Sequence, residues 1–421
     1  MKAEIITIGD ELLIGQTIDT NSSWIGAELS RAGFDIIRKS SIQDNRINIL
    51  EALESASGRV DVVLITGGLG PTSDDITKQT LCEFFHTKLV VNQNVLAMIN
   101  EMAKRRNMQM NENNRKQAEV PESCKVLTNA TGTAPGMWFE KGKTIFVSMP
   151  GVPNEMKYIM NEHVLPELKK LFTSQVVIHR NIMTYGLPEA MLAETLSSFE
   201  ADLPPEIKLA YLPSFGVIKL RLTGKGKNRE HIAKLIDAQV IRLYSEIPEF
   251  IYGENEETLE MTAGKLLTEK GITMCTAESC TGGNIARLIT SIPGSSAYFM
   301  GSIIAYDNSV KSLLLDVDKE AVMKEGAVSE KIVRLMAEGA RKLLKTDFAL
   351  ATSGIAGPDG GTPEKPVGTV WIAVASQKRS VAEKHVFSID RTININRFSL
   401  AALNLLVKEI KALCEFQEGL P

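Results

Sequence analysis

Two apolar runs in this chain, VDVVLIT and ITMCTA, break at glycine-rich turns, GGLGPTSDD and ESCTGG, and each turn gives way to a helical pattern. A strand followed by a helix must return to its sheet through a crossover, which is the building step of a parallel α/β sheet. The same alternation fills the first part of the chain: AEIITI, a helix from Asn21, FDIIRKSSI, a helix near Asn45, VDVVLIT and a helix after GGLGPTSDD. TIFVSM, the PGVP turn and a helix from Asn154 repeat it, so an α/β domain is predicted over 1–171. Between Gln175 and Ile247 the order becomes strand (VVIHRNIMTY), helix (PEAMLAETLSSF), two strands (IKLAYL and VIKLRLTG) and helix (HIAKLIDAQVIRLY), a small α+β domain over 172–250. The acidic stretch EIPEFIYGENEE, broken by Pro and Gly, predicts a linker at 251–257. From Thr258 the α/β alternation resumes, with strands ITMCTA, YFMGSIIAY, FALAT, TVWIAVAS and VAEKHVFSI and a long helix from Ser329, so a last domain is predicted over 258–416.

At 421 residues the chain is long enough for two to four domains. Apolar residues make up 44% and charged residues 23%, which excludes disordered and low-complexity classes. A net charge of -4 gives no general attraction to nucleic acid or an anionic membrane. The cysteines (Cys82, Cys124, Cys275, Cys280, Cys414) are odd in number and include no C-x-x-C pair, so a reducing compartment without structural zinc is expected. MKAEIITIGDEL runs into a strand pattern without an apolar leader, and the longest uncharged stretch, around Ile292 to Tyr306, is interrupted by Pro, Gly and Ser. The expectation is a cytoplasmic protein.

In ITGGLGPTSDD, Gly67, Gly68 and Gly70 let backbone N–H groups approach a phosphate, and the helix that follows adds a favourable dipole. Asp74 and Asp75 would repel a phosphate unless a divalent cation bridged them. Thr72 with Asp75 also reads as a capping box, and both readings stay open. GTAPG (Gly132 to Gly136) and PGVPNEM (Pro150 to Met156) add tight turns, with Glu155 open to the roles of base, metal ligand or first-turn helix acid.

TAESCTGG places Ser279 and Cys280 side by side at a strand end, before Thr281, Gly282 and Gly283 at a helix start. Such a turn suits a nucleophile or a phosphate, and neighbours in an extended turn point apart, so one of the two residues is expected to face a pocket. Helix capping by Ser279 or Thr281 with a buried Cys280 is the alternative. None of the five histidines lies in a glycine-rich motif, so a local Ser-His pair is absent. GSIIAYDNSVK offers another base: Tyr306 at a strand end, Asn308 as an N-cap and Lys311 in the first helical turn, where burial and the helix N-terminus favour a neutral amine. In ATSGIAGPDGGTPEKPVGTVWIA, Thr352, Ser353 and Gly354 border a loop whose amides suit an oxyanion or phosphate. Arg391 and Arg397, in DRTININRF before the last helix, are candidates to neutralise a substrate phosphate.

GDELLIG, GGLGPTSDDIT, GTAPG and PGVPNEM together resemble the molybdopterin-binding-like domain of the CinA (competence/damage-inducible) family. AESCTGG, GSIIAYDNSVK, SGIAGPDGG and KPVGTV resemble that family's carboxy-terminal nicotinamide-nucleotide amidohydrolase domain, so nearly the whole chain is covered. The resemblance implies an α/β chain with a three-layer molybdopterin-binding-like domain, a small α+β (KH-like) middle domain and an α/β amidohydrolase domain. For the last domain it implies hydrolysis of nicotinamide mononucleotide, with Ser279 as nucleophile, Lys311 as general base, Tyr306 beside it, Thr352 and Ser353 at the substrate, and no metal. For the first it implies ADP-ribose pyrophosphatase activity with a divalent cation (Mg, Mn or Co) on Asp74 and Asp75. Both activities belong to pyridine nucleotide salvage, and the expected assembly is a homodimer with no nucleic-acid or membrane partner. Molybdopterin binding or adenylyl transfer, and a non-enzymatic competence or repair scaffold, remain the competing readings. GKGKNRE in the middle domain is read as a hairpin tip or helix entry, not an RNA-binding loop.

Overall fold

The computed structural model describes residues 1–70, 76–105, 112–172, 176–214, 216–387 and 390–418. They form two compact units, one of Met1–His179 with Gly224–Lys234, the other of Arg180–Thr223 with the chain from Leu235 onward.

The first unit is built on a six-stranded sheet in the order Asp35–Ile42, Lys2–Ile8, Val62–Thr66, Thr144–Met149, Gly136–Lys141, Lys125–Leu127. The first four strands are parallel, with Ile5 opposite Leu64 and Leu64 opposite Val147; the inner three are apolar and buried on both faces, while the edge strand Asp35–Ile42 is polar and largely exposed. The last two are antiparallel, because Gly142 at φ 63° closes a hairpin between Lys141 and Thr144 too short for a crossover. The sheet is therefore mixed, where the β/α alternation predicted a parallel one. Ile5, Leu64 and Val147 pack with Ile25 and Leu29 on one face, and Ile6, Val63 and Phe146 pack with Ile49, Leu53 and Leu81 on the other, giving three layers. Asp19 and Asn45 cap the helices Thr20–Arg31 and Arg46–Ala56 by accepting from Ser22 and Asn48 N–H. The helix expected from Asn154 starts at Pro153 and widens to a π-turn at Met160–Val164. Pro166 explains the widening, since it has no N–H for the carbonyl one turn back and its ring would clash there.

The second unit carries a four-stranded sheet in the order Ile207–Ser214, Val217–Gly226, Val176–Tyr185, Ile251–Glu254. The last strand occupies the stretch expected to be a linker: it pairs antiparallel with Val176–Tyr185, and Ile251 and Tyr252 are buried. Tyr252 and Met183 share one core with Leu259, Leu267, Phe398 and Leu403 of the carboxy-terminal α/β region. That region has a five-stranded sheet in the order Phe299–Ile304, Met274–Glu278, Phe348–Gly354, Thr369–Ala375, Ser380–Val386. The first three strands are parallel and the last two antiparallel, again a mixed sheet. Helices Leu259–Lys270 and Arg391–Glu418 cover one face, and Asn308–Leu315, Lys319–Glu325 and Glu330–Leu344 contribute to the core on the other. Arg391 and Arg397 lie inside the last helix, not before it. No helix among the described residues is long and apolar enough to cross a membrane.

Candidate functional site

The strand Met274–Glu278 lies between two parallel neighbours, Phe299–Ile304 and Phe348–Gly354. Connections leaving the carboxyl end of such a strand diverge to opposite sides and open a crevice, where open α/β sheets bind ligands. Ser279 is the first residue past this strand. Its N–H donates to Thr352 O at 3.0 Å, and its carbonyl accepts from Gly282 N–H at 3.1 Å, closing a tight turn. Gly282 and Gly283 take φ of 60° and 96°, a region that disfavours side chains, so the two glycines are what let the chain enter the helix Asn284–Thr290 here.

A cavity of about 280 Å³ opens at this turn, lined by Ser279, Cys280, Tyr306, Lys311 and Arg391 together with Ser353 and the start of the glycine-rich loop, Gly354 to Gly357. Both Ser279 and Cys280 line it, contrary to the expectation that only one would, because the chain leaves the extended conformation at Ser279 and strand alternation no longer applies. Protonation separates them. Burial pushes the Cys280 thiol up to about 12, so it stays a thiol at neutral pH. The Ser279 hydroxyl makes no hydrogen bond to another described residue; apo nucleophile–base contacts are often loose in this way.

Lys311 is 1% exposed. Its Nζ donates to Tyr306 O and to Asn308 Oδ1, both at 3.2 Å. Burial lowers its pKa, the Asp307 carboxylate opposing in part. Asp307, not Asn308, caps this helix, accepting from Ser309 N–H at 2.8 Å. Tyr306 therefore meets Lys311 through its backbone carbonyl, while its hydroxyl accepts from Arg391 Nη2 at 3.1 Å. Arg391 Nη1 also donates to Gly357 O at 2.6 Å, tying the last helix to the glycine-rich loop across the cavity.

Other expected site residues fall elsewhere. Glu278, 0% exposed, accepts from Gly283, Ile285 and Ala286 N–H at 3.0, 3.1 and 2.8 Å. A carboxylate of the chain itself thus holds the helix N-terminus that Thr281, Gly282 and Gly283 were expected to offer to a phosphate. The Thr281 and Thr352 hydroxyls bond each other at 2.8 Å in the interior, while Ser353 Oγ donates to Ala327 O at 2.7 Å on the cavity wall. Arg397 does not line the cavity; its guanidinium sits 5.7 Å from the centre of the Phe387 ring. No histidine lines the cavity either.

In the first unit, Thr72, Asp74 and Asp75 lie outside the described residues. Gly67 and Gly68 have positive φ, and a side chain at Gly67 would strike Ile8 O. Gly70 also lies in the described part of this loop. A small cavity of about 120 Å³ borders Gly67 at the carboxyl ends of the parallel strands, with Thr7, Asn21, Thr66 and Gly151 around it. Asn21 ties this region together by donating to Thr66 Oγ1 at 3.2 Å and Gly151 O at 2.7 Å. Glu155 accepts from Asn129 Nδ2 at 2.6 Å beneath the GTAPG turn, where Gly132 leaves room for its carboxylate. Among the described residues no group of three His, Cys, Asp or Glu is placed to hold a metal ion.

Glu278 and Asn21 were missed from the sequence, and Asn308 was expected as an N-cap, not as the acceptor for Lys311 that it is. An acid inside a fully buried strand and an Asn three residues before a buried Lys were the available signals for Glu278 and for the role of Asn308; Asn21 gave none beyond its place in a first helical turn.

These features define a multi-domain α/β protein with a polar crevice at the carboxyl ends of its last sheet's parallel strands. Residues 4–170 match the family described as "Probable molybdopterin binding domain", residues 179–253 "Damage-inducible protein CinA KH domain" and residues 256–410 "CinA C-terminal domain". The chain is 49% identical over 409 residues to a CinA-like protein of Cytophaga hutchinsonii, covering 97% of this chain and 98% of that one. It is 47% identical over 415 residues to a CinA-like protein of Flavobacterium psychrophilum, covering 97% and 99%. The crystal structure of competence/damage inducible protein CihA from Agrobacterium tumefaciens is similar at 37% identity and a TM-score of 0.35, over 36% of this chain and 92% of that one. The chain belongs to the CinA family.

Proposed function

We propose that the carboxy-terminal domain hydrolyses nicotinamide mononucleotide to nicotinate mononucleotide and ammonia, with Ser279 as nucleophile. The observation that carries this reading is Lys311, a buried lysine held by uncharged acceptors on the wall of the cavity that Ser279 lines. The Ser279 oxygen bonds to the carboxamide carbon while Lys311 Nζ takes the hydroxyl proton. The carbon–nitrogen bond then breaks as the lysine returns that proton to the leaving nitrogen, and ammonia departs. Water attacks the acyl-enzyme and gives one proton to Lys311; the serine oxygen leaves with that proton, and the acid so formed loses the water's other proton to the released ammonia, giving the carboxylate and ammonium. Amides of the Ser279 turn or the glycine-rich loop stabilise the oxyanion, although Ile355 N–H is already committed to Thr369 O. With the helix N-terminus filled by Glu278, the substrate phosphate falls to Arg391, whose bonds to Tyr306 and Gly357 leave further donors free.

Ammonia release from nicotinamide mononucleotide tests this directly. Ser279→Ala and Lys311→Ala are expected to lose on the order of 10³-fold or more in kcat, and Cys280→Ala to keep its activity. Full activity in Ser279→Ala would overturn the serine mechanism.

For the amino-terminal domain we propose hydrolysis of the ADP-ribose pyrophosphate, Asp74 and Asp75 holding a divalent cation that neutralises phosphoryl charge when bound. Family membership and the side-chain-free Gly67–Gly68 loop support this. The molybdopterin description of residues 4–170 favours a second reading, molybdopterin binding or adenylylation. An adenylylated product from molybdopterin and ATP would replace the pyrophosphatase assignment.

A further inference from the structure

We propose that Asn308 is a positioning residue that keeps Lys311 in its proton-accepting form, and that its being a carboxamide and not a carboxylate sets the pH at which the site works. The proposal rests on Lys311 acting as the base for Ser279.

A neutral amine has two N–H groups and one lone pair, whereas an ammonium has three N–H groups. Lys311 Nζ has two hydrogen-bond partners among the described residues, Tyr306 O and Asn308 Oδ1, each at 3.2 Å. They satisfy a neutral amine and leave its lone pair unclaimed. An ammonium would carry a third N–H with no acceptor among the described residues, on a side chain 1% exposed. Asn308 presents its carboxamide oxygen to Nζ, so Lys311 donates to it and the lone pair is not spent on that contact. Asn308 opens the helix Asn308–Leu315, and a spacing of three residues puts Lys311 on the same face.

Both acceptors are uncharged. A carboxylate in the place of either would favour the ammonium. The Asp307 carboxylate, whose charge acts on Lys311, is committed to the helix cap, where it accepts from Ser309 N–H at 2.8 Å and Ser309 Oγ at 2.6 Å. Its charge still pulls Lys311 upward, but burial is the larger influence and lowers it. Cys280, which interacts with Lys311 from the nucleophile turn, is held as a thiol. Tyr306, Asp359 and Arg391 are the other titratable or charged residues lining the cavity. The helices packed against Asn308–Leu315 contribute the apolar Ala321, Val322, Ile332, Val333 and Met336 to the core on that side.

The test uses the full-length chain with Asn308→Asp and Asn308→Ala, read by two pH profiles. One is ammonia release from nicotinamide mononucleotide; the other is phosphonylation of Ser279 by a fluorophosphonate, in which the serine oxygen bonds to phosphorus and fluoride leaves, and which needs no knowledge of the natural substrate. Asn308→Asp is expected to move the acid limb of both profiles up by about 1 pH unit or more and to recover rate at alkaline pH. Asn308→Ala is expected to lower the plateau without that upward move. An unmoved limb in Asn308→Asp, or wild-type rates in Asn308→Ala, overturns the proposal. If Asn308→Asp does not fold, the Asn308→Ala plateau decides alone. A shifted labelling profile without ammonia release from the wild type would leave the proposal standing and remove the substrate reading. Turnover and labelling without a shift would do the reverse.

Discussion

Cys280 and Ser279 are adjacent in sequence and line one cavity, and burial sets the thiol apart. The Cys280 thiol, pushed up to about 12 by burial, has almost no thiolate between pH 7 and 9. Iodoacetamide should therefore label it slowly across that range in the folded chain and rapidly in denaturant; fast native labelling would restore cysteine as a candidate. Lys311 carries the opposite lesson, since its burial disfavours the charged form that an unfolded lysine holds up to about pH 10. Its folded pKa is lowered, so the folded state binds fewer protons than the unfolded one in the interval between the two values, and stability rises with pH there. Lys311→Met should abolish ammonia release and raise Tm at pH 7, with the gain shrinking as pH approaches 10. A fall in Tm across this whole range would mean that the lysine's hydrogen bonds outweigh its desolvation. YDNSVK let a neutral amine be expected at Lys311, and SCTGG left a buried Cys280 as an alternative; neither motif shows how much water the fold leaves around the group.

Glu278 joins the strand Met274–Glu278 to the helix Asn284–Thr290 through three accepted N–H groups. Its removal leaves several buried donors unpaired, each worth about 1–3 kcal/mol. In Glu278→Ala the amides of Gly283, Ile285 and Ala286 should lose hydrogen-exchange protection by at least about 10-fold, while strands of the first sheet keep theirs. Unchanged protection would show that the helix start is held by other contacts. This clamp takes up three of the amides that the TGG turn was expected to offer an anion: the acceptor is the chain's own Glu278. Strand and helix positions were largely legible because apolar periodicity survives in both sheets, from VVLIT to MCTAE. The IYGE strand was lost among Pro, Gly and acids, and its partners in Val176–Tyr185 lie 67 to 72 positions away.

At the scale of the whole chain, the two proposed activities are assigned to different domains. Asp75→Ala should abolish metal-dependent ADP-ribose hydrolysis and leave ammonia release within about 2-fold of wild type, and Ser279→Ala should do the converse. Loss of both activities in either variant, with folding intact by circular dichroism, would count against separate sites. Motif order along the sequence determined the family, the α/β class, the strand–turn–helix location of the candidate sites and the inclusion of Ser279, Lys311 and Arg391, because these follow from local spacing. Tertiary structure alone decided that Arg397 packs on Phe387 while Arg391 reaches Tyr306 and Gly357. It also decided that Glu278 fills the helix entry and that Lys311 meets only uncharged acceptors. Burial and long-range hydrogen bonding set those outcomes, and both arise only when distant segments are packed together.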